Sequence, residues 1–175
     1  MLLKNKKTGE IVDITMPIKN SDGGNISSNS LAELNAEWED ASGWEVGSIK
    51  SKLAKIEVAS QDYYEDKKTE FTWDEAMAIE KKLSDGWRLP TRSEWCLLCE
   101  EFGQDENGEL DPKELNKNLN MKPSGGIGLW WSSTELSGID AYDLAVYTSS
   151  IYPQNNNLKG NPLALRFVRD LGGKE

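Results

Sequence analysis

The sequence predicts an α+β domain preceded by a short N-terminal extension. Two observations lead to this fold class. Thr-x-x-Glu capping boxes at Thr72 and Thr91 are typical helix starts, and each precedes a segment with helical apolar spacing. After Lys122 the pattern changes to alternating apolar and polar residues, most clearly over residues 141–150, which indicates half-buried strands.

Three helices are predicted, and each follows a residue whose side chain can cap it: Thr72, Thr91 and Asp111. Gly86 is expected to end the first helix and Gly103 the second, because glycine readily adopts the backbone conformation of a helix C-terminal cap. The third helix has Pro112 at its first position and is expected to reach about Asn118.

Strands are predicted on both sides of the helical segment. The apolar residues of 53–58 indicate a strand region before it, and residues 130–134 indicate a strand after it. In the next strand the even positions from Tyr142 to Val146 alternate with the odd positions from Asp143 to Tyr147. A polar loop over residues 152–162 is expected to lead into a final strand over residues 163–170.

Residues 1–50 are predicted to form the extension, and residues 51–175 the α+β domain. Within the extension, residues 1–14 have the pattern of a hairpin with a polar turn. Residues 30–41 are predicted to form a short amphipathic helix, with Ser30 as its cap and Glu33 completing a capping box. The boundary between the two parts is expected between residues 42 and 52.

The charge balance excludes several classes of partner. The net charge is −10, and residues 60–122 alone carry 16 acidic and 9 basic residues. Such a surface repels phosphate backbones and anionic lipids, so we expect neither nucleic-acid binding nor membrane insertion. The sequence has no apolar run of membrane-spanning length and no secretory signal pattern, so the expected location is the cytoplasm, with a virion as the exception.

Catalytic and metal-binding chemistry has little support in the sequence. There is no histidine, which removes the commonest metal ligand and general base. Cys96 and Cys99 form the only Cys-x-x-Cys pair, too few ligands for a structural zinc site, and they lie among apolar residues of the second helix. Core packing is the favoured interpretation of both thiols, and no cofactor or metal is expected.

Three segments in fixed order resemble a known family. They are TWDEAMAIEKKLSDGWRLPTRSEW, GLWWSSTE and AYDLAVY followed by LALRFVRD. Together they are similar to the C-type-lectin-like fold, in its formylglycine-generating-enzyme-like branch and the "major paralogous domain" proteins of bacteria and phages. The resemblance covers about residues 57–171. It implies two main helices packed on a small, twisted antiparallel sheet with long loops.

Departures from the family limit what the resemblance implies. The enzymes of this branch use cysteines late in the domain, and no cysteine follows Cys99. The Glu-Pro-Asn, Gln-Pro-Asp and Trp-Asn-Asp motifs of calcium-dependent sugar binders do not occur. Neither oxidase chemistry nor calcium-dependent sugar binding therefore transfers. The ending also resembles the variable proteins of diversity-generating retroelements, which implies a diversified surface within residues 137–161.

The sequence therefore predicts a non-enzymatic ligand-binding module that recognises a protein or glycan on a cell or particle surface, such as a diversified receptor-binding protein of a phage or prophage. Residues 1–50 would serve attachment or homo-oligomerisation. Two alternatives stay open: an enzyme of the same fold using Cys96 or Cys99, and a structural component of a virion or other assembly. The candidate ligand-binding residues are Asp143, Ala145, Tyr147, Ser149, Tyr152, Asn155, Asn156, Asn157 and Asn161.

Overall fold

The computed structural model describes residues 2–5, 11–13, 38–40, 47–123 and 125–172. The chain divides into two compact units, Met1–Glu45 and Val46–Glu175. The first strand of the second unit begins at Ser48, ahead of residue 51, where the sequence places the start of the domain.

Three short strands make up the described part of the first unit. Strands β1 (Leu2–Asn5) and β2 (Ile11–Asp13) pair as an antiparallel hairpin, which confirms that prediction. Strand β3 (Trp38–Asp40) pairs with the other edge of β1. The predicted helix over residues 30–41 is therefore wrong at its end, because pairing with an open strand edge overrides local helix propensity. Residues 30–37 lie outside the described residues.

The described residues of the second unit form three helices and two three-stranded antiparallel sheets, which confirms the α+β class. One sheet has the order β4-β5-β9 and the other the order β6-β7-β8. The elements are β4 (Ser48–Ser51), β5 (Ile56–Ala59), α1 (Trp73–Glu80), α2 (Arg92–Phe102), α3 (Pro112–Leu119), β6 (Ile127–Glu135), β7 (Asp140–Tyr147), β8 (Ile151–Leu158) and β9 (Val168–Asp170).

The predicted helix starts are confirmed. Thr72 and Thr91 each form a full capping box with the glutamate three residues later, and the Asp111 side chain accepts from the backbone of α3. Helix α2 ends at Gly103 as predicted. Helix α1 instead ends at Glu80, where the backbone changes to a tighter turn in which the Lys82 N–H donates to the Ile79 carbonyl oxygen, three residues earlier, at 2.9 Å.

An apolar core in the described residues packs α2 and α3 against strands of both sheets. Helix α2 contributes Trp95, Leu98 and Cys99, and β7 contributes Leu144 and Val146. Leu144 and Val146 therefore point into the core, as the alternation predicts. Within the described residues the longest helix, α2, has 11 residues, and no helix combines the length and apolar character needed to cross a membrane.

The Gly86–Thr91 motif forms a joint between α1, α2 and β9. The Arg88 backbone pairs with Val168, and its guanidinium makes two hydrogen bonds of 2.7 and 2.8 Å to Glu94, the capping residue of α2. The same guanidinium reaches Asp170 at 2.7 Å. The motif therefore has a structural role, fixing the start of α2 against the end of β9.

Residues 163–170 connect the two sheets of the second unit. Leu163 bridges to Phe71, Ala164 runs parallel to Trp130 of β6, and Val168 joins β5. Only Val168–Asp170 is a regular strand, so the predicted continuous strand over residues 163–170 is wrong in its first half. The segment leaves one sheet before it reaches the other, and its partners change along its length, which prevents a regular ladder.

Arg166 is the most deeply buried cation of this segment, with 1% of its surface exposed. Its guanidinium donates to the backbone carbonyl oxygens of Ala59, Leu119 and Asn120, and its Nε atom donates to Asp62 at 2.7 Å. A buried cation is tolerated only when its donors are satisfied, and these four acceptors come from two separate parts of the chain, residues 59–62 and 119–120.

Arg166→Lys should destabilise the second unit by about 3 kcal/mol, because an ammonium group cannot reach acceptors arranged for a planar guanidinium fork. The measurement is urea unfolding followed by tryptophan fluorescence. Arg169→Lys is the matched control, since Arg169 is more exposed and pairs with Glu57 alone among the described carboxylates; it should lose about 1 kcal/mol or less. Equal losses in the two variants would contradict the assignment.

Candidate functional site

The strand register brings most of the candidate residues onto one face of the β6-β7-β8 sheet. Asp143 lies opposite Trp131 of β6 and Asn155 of β8, and Ala145 lies opposite Tyr152. Directly paired residues in an antiparallel sheet have side chains on the same face. This face, which we call the outer face, therefore carries Asp143, Ala145, Tyr147, Tyr152 and Asn155, while Leu144 and Val146 point to the core on the other side.

A β-bulge decides which residues of β8 reach the outer face. Asp143 pairs with Asn155, but Ala145 pairs with Tyr152, so one extra residue of β8 stands opposite Leu144. Tyr152 and Asn155 are three positions apart, and in a regular strand they would point to opposite faces. The extra residue reverses the alternation between them and places both on the outer face.

The expectation that residues 152–162 form a polar loop is wrong for most of that range. Residues 151–158 form β8, the edge strand of the sheet. An edge strand with one exposed face tolerates polar side chains. It also tolerates a proline such as Pro153, because an edge strand has a neighbour on one side only and can do without one backbone N–H. The composition of residues 152–158 thus fits an edge strand as well as a loop.

Two of the candidate ligand-binding residues, Asp143 and Ala145, lie beneath the surface instead of on it. Asp143 and Ala145 are 0% exposed, because each lies on the central strand between larger residues of its neighbours, such as Trp131 beside Asp143. Tyr147 is half-buried at the end of the strand, and Ser149 is exposed in the turn that follows. Asp143 and Ala145 therefore support the surface rather than form it.

An open cavity of about 290 Å³ lies at the Tyr147 end of the outer face. Its lining residues are Tyr147, Ser150, Tyr152 and Asn155. The two tyrosine rings meet edge to face, with centroids 5.6 Å apart, and Tyr152 is 53% exposed. Ser150 was not predicted as a site residue. Its position in the short turn between two paired strands is the feature of the sequence that could have indicated it.

A buried carboxylate lies behind this cavity. The Nδ2 group of Asn155 donates to both carboxylate oxygens of Asp143, at 3.1 and 3.2 Å. Burial raises the pKa of Asp143 from 3.8 to about 6, although the hydrogen bond from Asn155 acts in the opposite direction. Because both contacts use the Nδ2 end, the carbonyl end of the Asn155 amide is directed away from Asp143.

The remaining candidate residues lie elsewhere. Asn156 pairs with Tyr142, on the face opposite the cavity, so the sheet separates it from Tyr152 and Asn155. Asn157 and Asn161 meet each other through a 2.6 Å hydrogen bond at the far end of β8. The structure therefore brings together three predicted residues, Tyr147, Tyr152 and Asn155, and adds Ser150.

The two cysteines lie in helix α2, away from this cavity. Cys99 is 1% exposed and belongs to the apolar core, and burial raises the pKa of its thiol. Cys96 is half-buried. Among the residues that the structure describes, no group of three or more histidine, cysteine, aspartate or glutamate side chains is arranged to hold a metal ion.

Comparison with known proteins does not assign the chain to a family. No protein-family model matches the chain. No curated protein matches it either. The resemblance to the C-type-lectin-like fold and to diversified variable proteins therefore stays a prediction, and the function has to be argued from the geometry of the site.

Asp143→Asn should change how stability depends on pH. Because the folded pKa is raised, the stabilising contribution of Asp143 is fullest below about pH 4 and falls as pH rises through about 6. Asparagine does not titrate. Between pH 4 and pH 8 the free energy of unfolding of the variant should therefore rise by about 2 to 3 kcal/mol relative to that of the wild type. Urea unfolding of both proteins across this pH range measures the difference. If their free energies of unfolding change with pH in the same way, the prediction is refuted.

The thiols should be poorly reactive in the folded protein. In a Cys96→Ser variant, the remaining Cys99 should react with a thiol-specific reagent at least about 100-fold more slowly in buffer than in denaturant, because the folded core excludes the reagent. Absorbance of the released product measures both rates. Fast labelling of native Cys99 would instead favour an enzyme that uses this cysteine.

Proposed function

We propose that the second unit is a non-enzymatic binding module and that the cavity between Tyr147 and Tyr152 is its contact site. The partner is a protein or glycan on the surface of a cell or particle. The observation that carries this proposal is the grouping of two tyrosines, a serine and an asparagine around one open cavity. Tyrosine supplies contact area at little entropic loss, and serine and asparagine supply adaptable hydrogen bonds, as in antibody loops.

The support beneath the cavity fits a binding role. Leu144 and Val146 anchor β7 in the core, and Asp143 holds the amide of Asn155 from behind. A contact residue held by a buried partner loses less freedom on binding than a mobile one, which favours affinity. The exposed Tyr152 stands on a strand whose backbone is already fixed by pairing with β7.

We further propose that the second unit has the C-type-lectin-like fold and that its cavity-bearing strand and turn are the part open to diversification. Supporting the fold, β5 and β9 pair although they lie far apart in the chain, and the three helices and the β6-β7-β8 sheet lie between them in sequence. Supporting diversification, the core positions Leu144 and Val146 of β7 are buried, whereas every residue from 152 to 158 of β8 is exposed or half-buried.

Replacing Tyr147, Ser150 and Tyr152 together by alanine should abolish ligand binding while the domain stays folded, because all three side chains are at least partly exposed. The full chain is used to select binders from a glycan array and from a displayed peptide library. Any ligand found is then titrated against the triple variant by calorimetry, with an expected loss of at least about 100-fold in affinity.

Asn156→Ala is the matched control, because Asn156 belongs to the same strand but faces away from the cavity. Its affinity for the selected ligand should stay within about twofold of the wild type. A ligand that binds the triple variant and the wild type equally well, with circular dichroism unchanged, would show that the contact site lies elsewhere.

A further inference from the structure

The sheet that carries the cavity is built from a stretch of chain without basic residues. Between Pro123 and Leu158 the sequence contains Glu135, Asp140 and Asp143 but no lysine or arginine. The cavity lining itself, two tyrosines, a serine and an asparagine, is uncharged. The charged groups of this sheet are therefore all acidic, and their field favours positive ligands over negative ones.

Asp143 is the acidic group nearest to the cavity lining, and it has no cationic partner in the described part of the chain. Its carboxylate is fully buried and contacts the neutral amide of Asn155, which itself lines the cavity. A buried charge acts through a medium of low dielectric constant, so its field decays less with distance than in water. The nearby cation of α2, Arg92, stacks on Tyr142 on the opposite face of the sheet.

The cavity walls suit a positive group for a second reason. The cavity is lined by the Tyr147 and Tyr152 rings, which lie edge to face at 87°. Ring faces carry negative potential and attract ammonium and guanidinium groups. The Asn155 amide directs its Nδ2 end to Asp143, which leaves its carbonyl oxygen, with the Ser150 hydroxyl, to accept hydrogen bonds.

We propose that this cavity receives a positively charged group of the partner, an ammonium or a guanidinium, in the field of Asp143. The proposal deepens the binding function proposed above and rests on it. A basic side chain of a protein fits best, because a cavity of about 290 Å³ admits one side-chain end. An amino sugar carries the same chemistry, whereas a neutral sugar gains nothing from the buried charge.

The experiment titrates the isotope-labelled full chain with four small probes and follows the backbone amide signals of Tyr147, Ser150, Tyr152 and Asn155. Two probes are blocked lysine and blocked norleucine, which share a side-chain length and differ in charge. The other two are glucosamine and N-acetylglucosamine, which distinguish a sugar source from a peptide source. At pH 7.5 blocked lysine should bind about tenfold more tightly than blocked norleucine.

Asp143→Asn should abolish this preference, because it removes the charge and keeps the shape of the side chain. Asp140→Asn is the matched control: it makes the same change in charge at the other end of the same strand and should keep the preference. Tyr152→Leu provides a second variant at an exposed position, and it should weaken the binding of blocked lysine more than that of blocked norleucine.

Two results with the small probes would overturn the proposal. One is equal binding of the charged and uncharged probes by the wild type, and the other is a preference for lysine that survives in Asp143→Asn. A selected ligand that needs Tyr147, Ser150 and Tyr152 but tolerates Asp143→Asn would overturn the charge inference alone and leave the binding function standing. A selected ligand whose binding is unchanged both by the triple replacement and by Asp143→Asn would overturn the contact site itself.

Discussion

The second unit depends on one buried guanidinium. Arg166 joins the backbone carbonyl oxygens at the ends of β5 and α3 to the segment that links the two sheets, and it shares the Asp62 carboxylate with the indole N–H of Trp130 in β6. Because a buried cation is unfavourable without all of its acceptors, this arrangement permits one relative position of these elements. The sheet that carries the cavity is held in place through the same network.

Within that sheet, one strand supports the cavity and another carries the side chains proposed to contact a ligand. The central strand β7 is covered on both faces and provides fixed positions, among them the buried carboxylate of Asp143. The edge strand β8 pairs along one side only and carries the exposed tyrosine and asparagine side chains. Contact residues can therefore vary in identity while the backbone that displays them keeps its hydrogen bonds to β7.

The helices could be predicted from short sequence motifs, whereas the arrangement of the site depends on pairing between strands that are distant in the sequence. A capping box such as Thr91 with Glu94 involves four consecutive residues, so the sequence alone reveals it. The alternation in β7 separated two faces correctly, but the burial of Asp143 depends on neighbouring strands that the alternation does not describe. The bulge that brings Tyr152 beside Asn155 depends on register with β7, and strand pairing likewise overrides the local helix pattern at Trp38.

The position of residues 163–170 in the chain affects how the domain is made. This segment pairs with β5, Phe71, Arg88 and β6, all of which leave the ribosome before it. Until it arrives, both sheets have an open edge and the acceptors of Arg166 have no cation between them. Contacts over about a hundred residues make such closure slow, so the nascent domain depends on its last strand for protection against association with other chains.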